Sequence, residues 1–311
     1  MAEAAGERRL RPAAGRPSET MARGLDHIVH AVRDLDAAGR SYERLGFTVG
    51  ARNRHPWGTH NRIVQFPGVF IELLSVEEPD QIHEAAPRVF SFGAFNREFL
   101  KTAEGLSMLV LESRNAQADA AAFRASRIGD FEPFSFEREG KRPDGAPVRL
   151  GFSLAFARDP ATANAGFFVC QQHYPENFWN PAFQQHPNGA RAVTGVVLVA
   201  ENPTDHHIFL SAFVGERALE ATSTGVTVHT PRGDIQAMDP TAFRIHFGVE
   251  APDIAAGARI AALRIGVADV AAARVRLASQ DVSASEKMGR LIVPPQQAHG
   301  AALIFEPSGR A

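Results

Sequence analysis

The chain begins, after a polar stretch, with a strand-like run followed by a helix-like one. Residues 25–32, LDHIVHAV, are mostly apolar, which is typical of a buried strand. Residues 33–46, RDLDAAGRSYERLG, place apolar side chains at helical spacing, with Asp34 as a candidate N-cap and Gly46 as a stop. Three strand-like runs follow: FTVGARN, NRIVQFPG and VFIELLSV. The pattern predicts the order β-α-β-β-β.

The same order returns three more times. The later units begin near residues 106, 194 and 260, with GLSMLVLES, VTGVVLVAE and IAALRIGVA as their first strands. We expect the third unit to end in a strand over 241–249, TAFRIHFGV. The ends of three units also match directly: GVFIELL, GFFVCQQ and AALIFEPS. The sequence therefore predicts an α+β fold of four βαβββ modules.

Changes in composition suggest where domains begin and end. Residues 1–22 are polar and rich in Ala, Arg and Pro, so we expect a disordered tail, with Met21 as an alternative start. Residues 176–192 are dense in Pro, Asn and aromatic residues, which favours an ordered linker. We therefore predict an N-terminal domain over 23–175 and a more degenerate C-terminal domain over 193–311.

Charge and composition exclude several classes of protein. The 311 residues carry a formal net charge of −2, which gives no broad surface for nucleic acid or anionic membranes. No apolar run approaches the roughly 18 residues of a membrane span. Cys170 is the single cysteine, so no intrachain disulfide can form, which fits a reducing cytoplasm. The chain also lacks the motifs of nucleotide-binding loops, serine hydrolases and zinc proteases.

The first unit resembles a known family. Its opening, LDHIVHAVRDLDAAGRSYERLGFTV, followed by RHPWGTHN and IELLSV, is similar to the vicinal-oxygen-chelate superfamily, and within it to the glyoxalase-like members. That superfamily includes glyoxalase I, extradiol dioxygenases, 4-hydroxyphenylpyruvate dioxygenase and antibiotic resistance proteins. The resemblance implies that the four modules pair into two cup-shaped, partly open mixed β-sheet domains with helices outside.

The resemblance also implies a metal site in the first cup. Ligands in this superfamily come from the first and last strands of a unit, which correspond here to His27 and Glu72. An imidazole and a carboxylate suit Fe, Mn, Ni or Zn. Strand alternation predicts Leu25 and His27 on one face and Asp26 on the other. A structural histidine in a strand is the alternative for His27, and His30, at odd separation from His27, is expected to face away.

The second unit and the C-terminal half depart from the family pattern. In the second unit, Ser107 and Cys170 are expected at the positions of His27 and Glu72, and Cys170 could equally be a small core residue. His173 could complete a two-histidine, one-carboxylate set. In the C-terminal half the corresponding positions are Thr194 or Gly195 and Ala261 or Ala262, with Glu306 as an isolated acid. We therefore expect that half to be structural.

Other histidine-containing segments are weaker candidates. RHPWGTHN offers side chains for the mouth of the cup, or else a packed turn; its candidates for substrate contact are His55, Trp57, Thr59 and Asn61, and we add Cys170 to them. Of the adjacent pair His206-His207 only one can face the core, and the surface is the expected place for this pair.

These observations lead to two functional hypotheses. The first is a divalent-metal-dependent lyase, isomerase or ring-cleaving dioxygenase for a small substrate with vicinal oxygens, in which Glu72 is both ligand and proton shuttle. The alternative is a small-molecule-binding protein of the resistance type that needs no metal. We expect a small-molecule substrate, no nucleic acid or membrane partner, a homodimer as one option, and a cytoplasmic location.

Overall fold

The computed structural model describes residues 22–141 and 145–308, and its first half contains two strand-helix-strand units. The predicted tail over 1–22 lies outside the described residues except for Ala22. The first unit comprises β1 (Leu25–Ala31), α1 (Leu35–Arg44), β2 (Asn53–Arg54), β3 (Thr59–Phe66) and β4 (Val69–Val76). After α2 (Phe92–Thr102), the second unit comprises β5 (Gly105–Glu112), α3 (Ala116–Ala125), β6 (Phe134–Lys141), β7 (Pro147–Ala157) and β8 (Gly166–Gln172).

The second half repeats this order of elements. A connection with the short helix α4 (Pro175–Phe178) leads to β9 (Ala190–Val199), α5 (His207–Val214), β10 (Glu220–Thr222), β11 (Gly225–Val228) and β12 (Asp234–Met238). After α6 (Pro240–Phe247) come β13 (Arg259–Val267), α7 (Val270–Ala278), β14 (Ser285–Lys287), β15 (Arg290–Val293) and β16 (Ala302–Pro307). No helix within residues 22–141 or 145–308 is both long and apolar enough to cross a bilayer.

Each half forms one eight-stranded mixed sheet. The strand orders are β2-β3-β4-β1-β5-β8-β7-β6 and β10-β11-β12-β9-β13-β16-β15-β14. Two units meet at a central antiparallel pair, β1 with β5 or β9 with β13, and each central strand pairs in parallel with the last strand of its own unit. The predicted α+β class with two cup-like sheets is confirmed.

The first sheet curls strongly enough to bring its two edge strands together. Arg138 on β6 and Asn53 on β2 lie at opposite ends of the strand order, yet Nη1 of Arg138 is 3.5 Å from Oδ1 of Asn53. Right-handed twist accumulated over eight strands favours such curling. The concave face therefore encloses a space rather than lying open to solvent.

Apolar packing separates the outside of the cups from their inside. The convex faces of both sheets share one core with α1, α3, α5 and α7, including Leu25, Ile28, Tyr42, Phe123 and Phe213. A second cluster lines the concave face of the first sheet, and a third lines that of the second sheet, where Phe243 and Phe247 of α6 are buried. Helices α1, α3, α5 and α7 thus lie outside the cups, as predicted, whereas α2 and α4 contribute Phe92 and Phe178 to the interior of the first cup and α6 fills part of the second.

The expected strand over 241–249 is wrong. Residues Pro240–Phe247 form helix α6 because local capping outweighs their strand-like composition. Asp239 accepts a hydrogen bond from the backbone N–H of Ala242 at 2.8 Å, Pro240 occupies the first turn, and Gly248 ends the helix at φ 70°. The last strand of the third unit is instead β12, which ends just before this helix.

Candidate functional site

A β-bulge at the start of β1 turns two neighbouring polar side chains into the first cup. The pairing of β1 with β5 shifts between Leu25 and His27, so strict alternation is lost at Asp26. Leu25 packs in the core on the convex side, whereas the carboxylate of Asp26 accepts a hydrogen bond from Nε2 of Gln172 at 2.9 Å. The predicted sharing of one face by Leu25 and His27 is therefore wrong, because the bulge places Asp26 beside His27 instead.

The His27 ring is fixed on three sides. Its Nδ1 lies 2.5 Å from Oδ1 of Asp26, and its face stacks on Phe70 with ring centroids 4.3 Å apart. The edge of Phe168 contacts it at 5.4 Å. Because a carboxylate accepts hydrogen bonds, this contact favours the tautomer with its hydrogen on Nδ1, in which Nε2 has a free lone pair. The ring thus presents a donor atom for a cation.

Glu72 lies opposite this donor atom. Its Oε2 is 3.8 Å from Nε2 of His27, which is too long for a hydrogen bond. Two metal–ligand bonds of about 2.0–2.2 Å each can span roughly 4 Å, so one ion can reach both atoms. The other oxygen, Oε1, accepts a hydrogen bond from Nδ2 of Asn61 at 2.5 Å. Burial raises the pKa of Glu72, and within residues 22–141 and 145–308 no arginine or lysine pairs with it.

His55 flanks Glu72 from the other side. Its Nε2 lies 3.8 Å from Oε1 of Glu72 and 3.3 Å from Nδ2 of Asn61, and its Nδ1 lies 2.9 Å from Oγ1 of Thr59. Burial is the main cause that lowers the pKa of His55 to about 3, so the ring is neutral near pH 7. Thr59 itself is fully buried and does not line the cavity; it contacts the His55 ring instead.

These groups surround one small cavity. Its volume is about 50 Å³, which is room for a cation and a few waters but not for an aromatic molecule. A second, apolar cavity of about 250 Å³ shares Trp57 and Phe92 as a wall with the first. The first cavity is lined mainly by apolar side chains: Ile63, Phe70, Phe92, Phe136, Phe152, Leu154, Phe168 and Phe178.

The structure brings most of the predicted site residues together. Six of them line the first cavity: His27, His55, Trp57, Asn61, Glu72 and Cys170. His173 lies apart from them, since it is exposed and its Nε2 lies 2.8 Å from Oγ of Ser153. Ser153 alternates with Phe152 and Leu154, which face the cavity, so His173 is on the convex side. His173 as a metal ligand stays a prediction that this arrangement does not favour.

Cys170 belongs to a second group of donor atoms behind the His27 ring. Single ligand atoms of Asp26, His27 and Cys170 lie within 4.8 Å of one another. Burial, with Asp26 and Glu72 nearby, raises the pKa of the Cys170 thiol well above its usual range, so the thiolate that binds metals is disfavoured. Nδ1 of His27 is also already engaged by Asp26. The side of the ring facing Glu72 is therefore the better cation site.

Strand register corrects the expected counterparts of His27 and Glu72 in the second unit. His27 pairs with Phe70 across β1 and β4, and Met108 pairs with Gly166 across the equivalent strands β5 and β8. Two residues further along, Glu72 pairs with Val29, and Phe168 pairs with Val110. Met108 and Phe168, not Ser107 and Cys170, therefore occupy the equivalent positions, and both are apolar. Local sequence matching misplaced them by one and two residues.

The second cup has a different interior. Register places Gly195 and Gln236 in the third unit, and Ala262 and Ile304 in the fourth, at the positions of His27 and Glu72. Glu306, expected as the match to Glu72, lies two residues beyond Ile304. It is paired with Arg264 at 2.8 Å and Arg290 at 3.2 Å, so its charge is already compensated.

Some histidines outside the cup proved to be structural. His30 faces away from His27, as expected: Nδ1 lies 2.8 Å from the Tyr42 hydroxyl and Nε2 lies 2.8 Å from the His299 carbonyl oxygen. His206, expected at the surface, is buried and lies 2.6 Å from Asp159, whereas His207 is exposed.

Sequence reasoning missed two polar residues of the first cup. Strand alternation predicts Asp26 on the opposite face, because a bulge cannot be seen in a short apolar run. Arg138 had a visible signal, because it continues the alternating face of Phe134 and Phe136 in FSFER. An arginine on an otherwise aromatic face is an unusual choice for packing alone.

Comparisons with known proteins identify the family of the chain and structures that share its fold. A family model described as a glyoxalase-like domain matches residues 25–214, more than half of the chain. A hypothetical protein from Staphylococcus aureus superposes with a TM-score of 0.63 at 13% identity, covering 92% of this chain and 100% of its own. No curated protein matches in sequence.

Two other solved structures share the fold at low identity. A mutant of 4-hydroxymandelate synthase from Streptomyces coelicolor has a TM-score of 0.58 at 10% identity, covering 94% of this chain and 95% of its own. A fusion of a xylose isomerase-like TIM barrel with 4-hydroxyphenylpyruvate dioxygenase gives 0.52 at 14%, covering 97% of this chain and 52% of its own.

Proposed function

We propose, on the premise that the chain belongs to the family of glyoxalase-like domains, that the first cup is the active site of a divalent-metal-dependent enzyme. Its substrate is a small molecule with two vicinal oxygens, and its reaction is a lyase or isomerase step or an oxygenation. The observation that carries this proposal is the facing pair of His27 Nε2 and Glu72 Oε2, which are 3.8 Å apart, with no arginine or lysine within 4.0 Å of the carboxylate among the described residues.

The residues of the cup fit a divalent ion. His27 is oriented by Asp26 in the way that carboxylates orient metal-binding histidines, and Glu72 offers an oxygen that Asn61 does not use. These two side chains would hold the ion and leave its remaining positions open for substrate oxygens. When bound, such an ion acts as a Lewis acid toward the oxygens of a chelating substrate.

The protein contributes proton transfer and exclusion of water. Burial raises the pKa of Glu72, which makes its carboxylate a better acceptor for a proton. Asn61 fixes Oε1, so Oε2 is the oxygen that would bind the ion or, when released from it, take up and return a proton. The largely apolar walls lower the local dielectric constant, which strengthens each electrostatic interaction inside the cup. An apolar or aromatic substrate suits these walls, and some of them must move apart to admit it.

A second candidate function is metal-independent binding of a small molecule in the same cup. Met108 and Phe168 favour it, because the second unit places apolar side chains at the positions equivalent to His27 and Glu72. Two protein donors hold an ion less firmly than three or four. In this case the polar groups of the cup would serve only to orient the ligand.

Metal content distinguishes the two candidates. The protein, purified without chelator, is analysed for metals by mass spectrometry and then titrated with Fe(II), Mn(II), Ni(II) and Zn(II) by calorimetry. We expect about one ion per chain, lost in H27A and in E72Q. H173A is the matched control, because His173 lies on the convex side and its removal is expected to leave binding unchanged. Wild type without metal affinity supports the binding protein instead.

We also propose a cellular location and a class of partner for the protein. The single cysteine favours a reducing cytoplasm, and the near-neutral charge favours a small molecule over nucleic acid or membrane as the partner. A homodimer through edge strands is the simplest association for such sheets.

A further inference from the structure

Arg138 is a cation on the concave face of the first cup. It lies on the edge strand β6, where alternation places it with Phe134 and Phe136, and it lines the same cavity as Glu72. Its side chain is partly buried, which is the main cause that lowers the pKa of Arg138, while the charge of Glu72 acts in the opposite direction. A guanidinium in such surroundings normally has an anionic partner, because an unpaired buried charge is costly.

The guanidinium of Arg138 has little to compensate its charge. Its Nε is buried without a hydrogen-bond partner. Its Nη1 has only long contacts, 3.5 Å to Oδ1 of Asn53 and 3.4 Å to the carbonyl oxygen of Glu139. In the part of the chain that the structure describes, no carboxylate lies within 4.0 Å of it; Glu137, its neighbour, pairs with Arg149 instead.

Two other arginines that are largely shielded from solvent are paired with carboxylates. Arg264 binds Glu306 at 2.8 Å, and Arg23 binds Asp119 at 2.5 Å. Arg138 differs from them because its guanidinium lies at the cavity and its N–H groups have no close acceptor among the described residues. A planar carboxylate matches this set in shape and charge, since both nitrogens of one edge can donate to its two oxygens.

We infer that Arg138 binds a carboxylate group of the ligand, so that the ligand of the first cup is an apolar or aromatic carboxylic acid. This inference rests on the proposed function for the location of the site, and it deepens it by naming the class of substrate. The carboxylate lies at the rim on β6, and the apolar part lies against the phenylalanine walls. The groups that react or chelate lie deeper, at His27 and Glu72.

A pair of probes with equal shape and different charge tests this inference. Phenylacetate and phenylacetamide are titrated into the protein by calorimetry, in the presence of chelator. We expect wild type to bind phenylacetate at least about 10-fold more tightly, because hydrogen bonds between charged groups are worth more than those between neutral ones. R138Q is expected to lose this preference while its affinity for phenylacetamide is unchanged, and R138K to keep part of it.

R149Q is the matched control, since Arg149 lies on the neighbouring strand but is exposed and paired with Glu137. It is expected to keep the preference, which excludes a general effect of positive charge. Equal binding of both probes by wild type, or an unchanged preference in folded R138Q, overturns the inference.

A variant of the proposed metal site, H27A, separates failure of this inference from failure of the proposed function. The same titrations are made without chelator and with added Zn(II), on R138Q and H27A. If the preference for phenylacetate needs the metal and is lost only in H27A, the carboxylate binds at the ion. Arg138 is then not its site, while the metal-dependent function stands. If the preference for phenylacetate is lost in R138Q and kept in H27A, Arg138 binds the carboxylate. The inference then holds even if the metal-dependent function fails.

Discussion

Nδ1 of His27 lies 2.5 Å from Oδ1 of Asp26, although the two residues are neighbours in one strand. In a regular strand their side chains would point to opposite faces. The bulge between β1 and β5 brings them to the same face and leaves Nε2 of His27 directed at Glu72. Asp26 is thus a positioning residue whose effect must pass through the histidine.

D26N tests this positioning role. The amide can still occupy the space but gives a weaker and less selective hydrogen bond to the imidazole, so we expect metal affinity to fall by about 10- to 100-fold while the fold is retained. Calorimetric titration with Zn(II) measures the change. D36N, on the exposed side of α1, serves as the control and should bind as wild type does. Affinity in D26N equal to that of wild type would show that Asp26 does not orient His27.

M108H restores an imidazole at the position equivalent to His27 in the second unit. A third protein donor facing the same cup should tighten the binding of Zn(II) or Ni(II) by at least about 10-fold, because both ions bind imidazole well. The control is M288H, which adds a histidine at an exposed position. If M108H binds no more tightly than M288H, then the two units do not converge on one ion.

His30 makes the protein sensitive to acid. Burial is the main cause that lowers its pKa from 6.5 to about 4, so the folded state favours the neutral ring. The contribution of the neutral His30 ring to folding stability is present above pH 6.5. It is lost as pH falls toward 4, because the unfolded chain then takes up a proton that the folded chain does not. Between pH 7 and pH 5 this costs about 2 kcal/mol of unfolding free energy.

Urea unfolding of wild type and H30Q at both pH values measures this contribution. H30Q is expected to be less stable at pH 7, because contacts with Tyr42 and His299 are altered, but to lose about 2 kcal/mol less than wild type on going to pH 5. H207Q, with its substitution at an exposed histidine, is the control and should follow wild type. Identical pH dependence in wild type and H30Q contradicts the expectation.

Trp57 separates the two apolar cavities. W57A should join the cavities of about 50 and 250 Å³ and lower stability, since a large ring packed against His55 and Phe136 is lost. Indole should then bind in the space and raise the thermal midpoint of W57A, but not that of wild type. W179A is the control for loss of a tryptophan. Stabilisation of wild type by indole to the same degree would mean that Trp57 does not form the wall.

Local pattern in the sequence was sufficient for most of the elements and for much of the site. Capping residues and apolar periodicity depend on neighbours only a few positions away, which is why α1, with Asp34 as its N-cap, could be predicted. The same locality misled at 241–249, where Asp239 and Pro240 start a helix in a strand-like composition. His27, Glu72 and the RHPWGTHN residues could be selected because each stands out from an apolar or turn segment.

Tertiary structure alone decided which polar groups meet. The bulge that turns Asp26 inward arises from the pairing of β1 with β5, some 80 positions apart, and leaves no trace in the local sequence. Strand register, not likeness of the unit ends, placed Met108 and Phe168 opposite His27 and Glu72. Curling of the whole sheet brought Arg138 to the cavity. Side-chain direction in a sheet depends on long-range pairing, so composition determined the candidates and the fold selected among them.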